Sequence, residues 1–117
     1  MKRINKNDVE IDVIAEFDHI PVRGNAIVSG DADLDRKVEN EIIRRINNGD
    51  VWAWASVEVK VTWETFEASD YLGCCTYDNE NDFVKNSGYY DDMVEIALDD
   101  LNQQIEDNWD LLKKLRD

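Results

Sequence analysis

The sequence predicts an α+β fold in which an antiparallel sheet of three to four strands carries two helices packed on one face. Residues 8–17 and 51–66 alternate between apolar and polar side chains, as half-buried strands do. Residues 31–47 and 89–115 repeat apolar side chains every three or four positions, which is typical of amphipathic helices. The predicted element order is therefore β-α-β-β-α, and the short connections favour antiparallel pairing of the strands.

The length and composition fit a single globular domain over residues 1–117, with a flexible polar segment at residues 1–7. The chain carries 27 acidic and 13 basic residues, hence a formal net charge of −14. A charge of this size and sign disfavours direct binding to nucleic acid or to an anionic membrane, and it favours a basic partner. Residues 67–117 hold 14 acids and 4 bases, a net charge of −10, so the C-terminal part is the acidic pole.

The first predicted strand, residues 8–17, has apolar side chains at every second position, mostly with acidic ones between them. This alternation indicates that one face packs on the core and the other is solvated. We expect a turn at Pro21, because proline cannot extend a central paired strand. Residues 22–29 contain a short apolar run near two glycines and fit either a short strand or an ordered loop.

The first predicted helix begins after an N-cap at Asp31 or Asp33 and extends to about Asn47. Its buried stripe repeats every four residues and consists of Leu34, Val38, Ile42 and Ile46. Gly49 then suits the left-handed conformation that commonly ends a helix.

The second predicted strand, residues 51–66, is the longest alternating stretch, with small apolar side chains along its inward face. Trp52 and Trp54 fall on the opposite, nominally polar face. Two rings of this size are large surfaces to leave in water. They are therefore either covered by another part of the chain, such as residues 18–30, or in contact with a partner.

Residues 71–77 predict the returning strand of a hairpin, after a turn at residues 67–70. Residues 78–85 then form a polar loop or a short helical turn that contains Phe83.

The last predicted helix, residues 89–115, has one apolar face that we expect to pack on the core from Tyr90 to Leu115. Its opposite face is acidic and consists of Asp92, Glu95, Asp99, Glu106 and Asp110, widened by Asp91, Asp100 and Asp107. Carboxylates three or four residues apart lie about 5–6 Å apart, a spacing comparable to that of phosphates along a DNA strand. Ile96 is either an apolar anchor beside these acids or an ordinary exposed residue. A row of charges is also typical of a surface that only solubilises the protein.

No motif predicts catalysis or cofactor binding. His19 is the single histidine, and the adjacent Cys74 and Cys75 have no basic cluster nearby that would lower a thiol pKa. Residues 31–35 begin like a calcium-binding loop, but the turn glycine and the later oxygen ligands are missing. We therefore expect a non-enzymatic protein without a metal or cofactor.

Five short motifs together resemble a family of small uncharacterised acidic proteins of bacteriophages and prophages. They are Val-Arg-Gly-Asn-Ala (22–26), Ser-Gly-Asp (29–31), Gly-Asp-Val-Trp-Ala-Trp-Ala (49–55), Tyr-Leu-Gly-Cys-Cys-Thr-Tyr (71–77) and Gly-Tyr-Tyr-Asp-Asp-Met (88–93). The resemblance spans about residues 8–103 and implies an origin, the cytoplasm of an infected bacterium, but no activity or site residue. In charge and size the chain is also similar to phage inhibitors that imitate DNA, including anti-restriction and anti-CRISPR proteins.

The sequence therefore favours a phage-type acidic protein that blocks a basic, nucleic-acid-handling host protein by DNA mimicry. The binding residues would be the acids of the last helix together with Ile96. The alternative hypothesis is a module that binds a small ligand or forms a homodimer through Trp52 and Trp54.

Overall fold

The structure is a computed structural model that describes residues 2–116. Along the chain lie β1 (Glu10–Phe17), α1 (Ala32–Asn47), a 3-10 turn (Val51–Ala53), β2 (Ala55–Trp63), β3 (Phe66–Cys75), α2 (Glu80–Asn86) and α3 (Tyr90–Arg116). The strands form one antiparallel sheet in the order β1-β2-β3, and α2 and α3 pack on it. The predicted α+β class is confirmed, with three strands and with residues 18–31 as a loop.

β2 lies in the middle of the sheet, and one of its faces is completely buried. Ala55, Val57, Val59 and Val61 expose no surface, while the residues between them are half-buried. The side chains of α3 that belong to the same core are Met93, Val94, Ala97, Leu98, Leu101 and Ile105. Burying each large aliphatic side chain is worth about 1.5–3 kcal/mol, so this layer is the main source of stability.

The N-terminal boundary of β2 differs from the prediction, because the strand begins at Ala55 rather than at residue 51. The Asp50 carboxylate accepts a hydrogen bond from the Trp52 N–H, at 3.1 Å, and caps the 3-10 turn. Aspartate side chains offer the backbone this local alternative to a strand. Trp52 and Trp54 consequently precede the strand and do not lie on its polar face.

β2 and β3 are joined by a tighter hairpin than the sequence predicts. Trp63 pairs with Phe66, which leaves Glu64 and Thr65 as the loop, and the two aromatic rings stack 6.3 Å apart. Glu64 has a φ of 53°, in the left-handed region that tight hairpins use. Residues 67–70, predicted as the turn, therefore belong to β3 in spite of their polar composition.

α1 begins and ends close to its predicted bounds, and the Asp31 carboxylate caps it by accepting hydrogen bonds from the N–H groups of Asp33 (3.1 Å) and Leu34 (3.2 Å). The helix packs against the 3-10 turn and the 18–31 loop, at one end of the sheet rather than on its face. Leu34 is exposed, so the predicted stripe is buried mainly around Ile42. This end of the molecule has a second small core, formed by Val22, Ile42, Ala53 and Trp54.

Two carboxylates hold the 18–31 loop in an ordered conformation. Glu39 of α1 accepts a hydrogen bond from the Gly24 N–H (2.8 Å) and pairs with Arg23 (3.0 Å). The Gly24 amide, followed by the Arg23 guanidinium, holds the pKa of Glu39 below its usual range. Asp18 accepts a hydrogen bond from the Cys74 N–H at 2.8 Å and so ties the loop to β3. Of the two alternatives for the apolar run in this segment, the structure has the ordered loop.

Residues 2–5, which belong to the segment predicted to be flexible, lie against α3. The backbone of Ile4 and the side-chain amide of Asn102 exchange two hydrogen bonds of 2.8 Å, and the Ile4 side chain packs on the core. Arg3 forms an ion pair of 2.6 Å with Asp99. Met1, the first residue of the predicted flexible segment, lies outside the described residues.

α3 extends past the sheet that it covers. The side-chain amide of Gln104 already reaches the carbonyl of Glu67 next to the hairpin (3.1 Å), and burial along the helix ends at Ile105. Residues 106–116, here called the α3 overhang, continue for about 16 Å and are exposed. The expectation that the apolar face packs on the core as far as Leu115 is therefore wrong beyond Ile105. The whole molecule is elongated, 67 × 23 × 23 Å.

Candidate protein-binding surface

The turn between α2 and α3 fixes the start of the long helix. Gly88 has a φ of 77°, which favours glycine, and the Ser87 hydroxyl accepts a hydrogen bond from the Tyr89 N–H at 3.0 Å. α3 follows immediately, within one residue of its predicted start. Asp91 and Asp92 lie in its first turn, where negative charge is favourable next to the helix N-terminus.

One side of α3 presents a row of exposed carboxylates, here called the acidic face. Its members are Asp91, Asp92, Glu95, Asp99, Asp100, Glu106, Asp107 and Asp110, all of them exposed. From the first to the last the row spans about 29 Å, at 1.5 Å per residue. The buried side chains of α3 lie on the other side of the helix, so the sheet does not cover the acidic face.

Few groups of the protein itself neutralise the acidic face. Within residues 2–116, Asp99 is the one member with an ion pair, the exposed contact with Arg3. Asp100 and Asp107 accept hydrogen bonds from the neutral side chains of Gln104 (3.2 Å) and Gln103 (2.9 Å). An exposed ion pair is screened by water and contributes little energy, so Asp99 is also available to a competing cation.

The N-terminal segment lines the acidic face over the last part of the helix, which the sequence analysis did not predict. A cleft of about 350 Å³ is formed by Lys2, Arg3, Asn102, Glu106, Trp109, Asp110 and Lys113. The signal in the sequence is the pair of basic residues at its start, but their distance of nearly 100 positions from α3 hides the contact. These cations moderate the potential near Glu106 and Asp110, whereas within residues 2–116 no ion pair involves the acids from Asp91 to Glu95.

Ile96 is half exposed, at 52%, on the side of α3 that carries the acids. It is the one apolar member of the predicted site, and it lies one residue from Glu95. A partner that contacts the acidic face would also contact this side chain.

The two tryptophans do not form an exposed aromatic surface. Trp54 is 3% exposed under the 18–31 loop, and its indole N–H donates to the Ile20 carbonyl at 2.6 Å. Trp52 is half-buried against Phe83 of α2, with ring centroids 5.8 Å apart. The chain itself therefore covers Trp54, as one of the two predicted alternatives has it, and the geometry does not support a ligand site at this pair.

The cysteines lack the surroundings of a reactive thiol. Burial raises the pKa of the Cys75 thiol to about 11, and burial followed by the nearby Asp18 carboxylate raises that of Cys74. Among residues 2–116, His, Cys, Asp and Glu side chains do not gather into a group that could hold a metal ion. Over the same range no helix is both long and apolar enough to cross a membrane.

Comparisons of the chain with protein-family models, with curated proteins and with solved structures gave no match.

Proposed function

We propose that this protein is a non-enzymatic binding protein whose acidic face occupies the nucleic-acid-binding surface of a basic host protein and blocks it. One observation carries the proposal. The eight carboxylates of the acidic face are exposed, and within residues 2–116 only Asp99 is paired with a cation.

The density of charge along the acidic face resembles that of a nucleic-acid strand. Eight carboxylates over about 29 Å correspond to one charge per roughly 4 Å, and a DNA strand has one phosphate per about 3.4 Å of helix axis. A groove whose lysines and arginines contact successive phosphates can therefore contact successive carboxylates. Arginine forms bidentate hydrogen bonds with both groups.

The acidic face also costs the isolated protein stability. Like charges three or four residues apart on a helix are destabilising by a few tenths of a kcal/mol per pair. The basic residues of α3 lie in its last turns and do not offset this repulsion near Asp91 and Glu95. A cationic partner relieves this repulsion, so the free energy that destabilises the isolated helix contributes favourably to binding.

The net charge of −14 favours rapid capture of a cationic partner, because complementary fields steer association. The same attraction weakens with salt, since the screening length falls from about 10 Å at 0.1 M to about 3 Å at 1 M. The resemblance to phage proteins is consistent with a bacterial target.

The proposal is tested by neutralising the acidic face and capturing proteins from a bacterial lysate. The test variant replaces Glu95, Asp99, Glu106 and Asp110 with Gln or Asn. The matched control makes the same change of four charges on the sheet, at the exposed Glu10, Asp12, Glu16 and Glu67. We expect the wild type and the control to retain the same basic proteins. The test variant should retain at least tenfold smaller amounts of them.

Two further measurements test whether the captured proteins bind through their nucleic-acid-binding surface. Added double-stranded DNA should release the captured proteins at an ionic strength that by itself does not, because both ligands use one groove. Retention should also fall steeply between 0.1 and about 1 M salt. If the test variant retains as much as the control, or if DNA releases nothing, the acidic face is not the binding surface and the proposal fails.

A further inference from the structure

Residues 2–5, here called the N-terminal strap, lie along the part of α3 that carries the acidic face. Arg3 pairs with Asp99 at 2.6 Å. The strap also lines the cleft of about 350 Å³ that contains Glu106 and Asp110. A basic segment of the chain itself therefore meets three of the eight carboxylates of the acidic face.

The acids near the start of α3 continue the same line. At 100° per residue, Asp92 and Glu95 fall within about 60° of the three acids that the strap meets. They lie about 10 and 6 Å before Asp99 along the helix, and within residues 2–116 no ion pair involves them. One row of carboxylates is thus divided into an open half, Asp92 and Glu95, and a strapped half that runs from Asp99 to Asp110.

Neutral groups set the position of the strap. The Ile4 N–H donates to the side-chain oxygen of Asn102, whose amide donates to the Ile4 carbonyl, both at 2.8 Å. The same amide donates to the Leu98 carbonyl at 2.8 Å, which fixes its orientation, and the Ile4 side chain packs on the core. The pair of Arg3 with Asp99 is exposed on both sides and adds little energy. Loss of the Asn102 side chain therefore loosens the strap without changing any charge.

The strap can leave α3 while the sheet stays in place. It ends in a turn in which the Asn5 N–H donates to the Asp8 carboxylate and the Asp8 N–H donates to the Asn5 carbonyl, both at 2.9 Å. β1 begins at Glu10, so movement about this turn breaks no strand pairing. Segments with few buried contacts open locally at a small fraction of the free energy of global unfolding.

We propose that the N-terminal strap is an internal competitor for the acidic face, and that a partner with a long row of cations displaces it. The inference rests on the proposed function, because the strap offers the row the same lysine and arginine chemistry as the proposed partner. A tethered competitor acts at a high effective concentration. The apparent affinity for a cationic ligand is then reduced in proportion to the fraction of chains whose strap is away from α3.

The strap makes binding depend on the length of the partner's cationic row. A ligand with one or two cations gains contacts with the open half alone. A ligand that spans the distance from Asp92 to Asp110, about 27 Å, also gains the strapped half, which offsets the free energy of displacing the strap. The preferred partner is therefore one whose cations contact several successive phosphates of a nucleic-acid strand.

The experiment measures the binding of fluorescent octa-arginine by anisotropy at about 0.1 M salt. This peptide spans about 27 Å when extended, which matches the row. The test variant N102A removes the contact with Ile4, and we expect it to bind the peptide at least threefold more tightly than the wild type. The matched control is N108A, since the Asn108 amide donates to the Gln104 carbonyl of its own helix, at 3.4 Å. The control should bind like the wild type.

A second pair of variants tests the cations of the strap. R3Q removes the ion pair with Asp99, and K6Q makes the same change of charge beyond the strap. We expect R3Q to bind octa-arginine at least threefold more tightly than K6Q. Displacement is observed directly by nuclear magnetic resonance, because the Ile4 N–H of the wild type should exchange with solvent faster when the peptide is bound.

A further variant, D92N/E95Q, tests the acidic face outside the strap, and far-UV circular dichroism checks that all variants are folded. If D92N/E95Q binds octa-arginine as tightly as the wild type, the proposed function fails and the inference fails with it. If D92N/E95Q binds more weakly while N102A and R3Q bind no more tightly than their controls, the inference alone is wrong. An Ile4 N–H that stays protected in the peptide-saturated protein also overturns the inference alone.

Discussion

The Cys75 thiol is buried in the core at the end of β3, next to the bulge where Ala55 pairs with Cys75 and Val57 with Leu72. Desolvation disfavours its thiolate, which is why its pKa rises to about 11. Cys74 has a φ of 55°, an unusual value for a residue with a side chain, and its amide is held by Asp18. Redox-active thiols have the opposite surroundings, with cations that lower the pKa.

The raised pKa predicts slow thiol chemistry in the folded protein. At pH 8 a thiol of pKa about 11 has roughly a hundredfold fewer thiolates than one at the ordinary value of 9.0. We expect an aromatic disulfide reagent to modify Cys74 before Cys75, and to modify both rapidly in urea. Equal rates for the folded and unfolded chains would contradict this.

The raised pKa of Cys75 also makes the stability of the folded protein depend on pH. The pKa of Cys75 is higher in the folded than in the unfolded chain. The contribution of the protonated thiol to the free energy of unfolding is therefore fully present below about pH 9 and is lost as the pH rises through about 11.

Single side chains also explain where sequence patterns failed. Asp50 caps a 3-10 turn in a stretch whose alternation predicts a strand. Glu64 adopts a left-handed backbone conformation that is uncommon for glutamate. Glu39 looks like one more surface acid of α1, yet it is buried and forms an ion pair with Arg23. Each of these outcomes depends on a neighbour that only the folded chain supplies.

At the scale of elements, α3 shows what periodicity can and cannot predict. The 100° repeat placed the apolar and acidic sides correctly from Tyr90 to Ile105, because facing is a local property of a helix. The same repeat runs on unchanged through the overhang. Nothing in it states where the sheet ends, so the loss of burial after Ile105 was not predictable from the pattern.

The difference in burial between the two parts of the apolar face of α3 is tested by a matched pair of variants. Leu101 is fully buried, so Leu101→Ala should lower the free energy of unfolding by about 2–5 kcal/mol through lost burial and a residual cavity. Leu115 is 78% exposed, and Leu115→Ala should change it by less than about 0.5 kcal/mol in dilute protein.

Urea denaturation measures the free energy of unfolding of both variants, and an unchanged m-value shows that the compared states are the same. Similar losses for the two variants would mean that the overhang packs on the body of the protein.

At the scale of the whole molecule, composition predicted the acidic pole, and helical geometry predicted which side of α3 displays it. The partial cover by Lys2 and Arg3 was not predictable, since residues 2–5 reach α3 through Asn102 from the other end of the chain. The antiparallel pairing of β2 with β3 was predictable from their short connection. The place of β1 beside β2 and the position of α1 beside the 3-10 turn depend on contacts between residues distant in the sequence.

The elongation itself has a practical consequence. The radius of gyration is 18.7 Å, against about 13 Å for a compact domain of this length. Such a particle has high friction for its mass, so a lone chain should leave a gel-filtration column ahead of spherical standards of 13.6 kDa. An early peak would be mistaken for a pair of chains, and light scattering across that peak gives the mass without any assumption about shape.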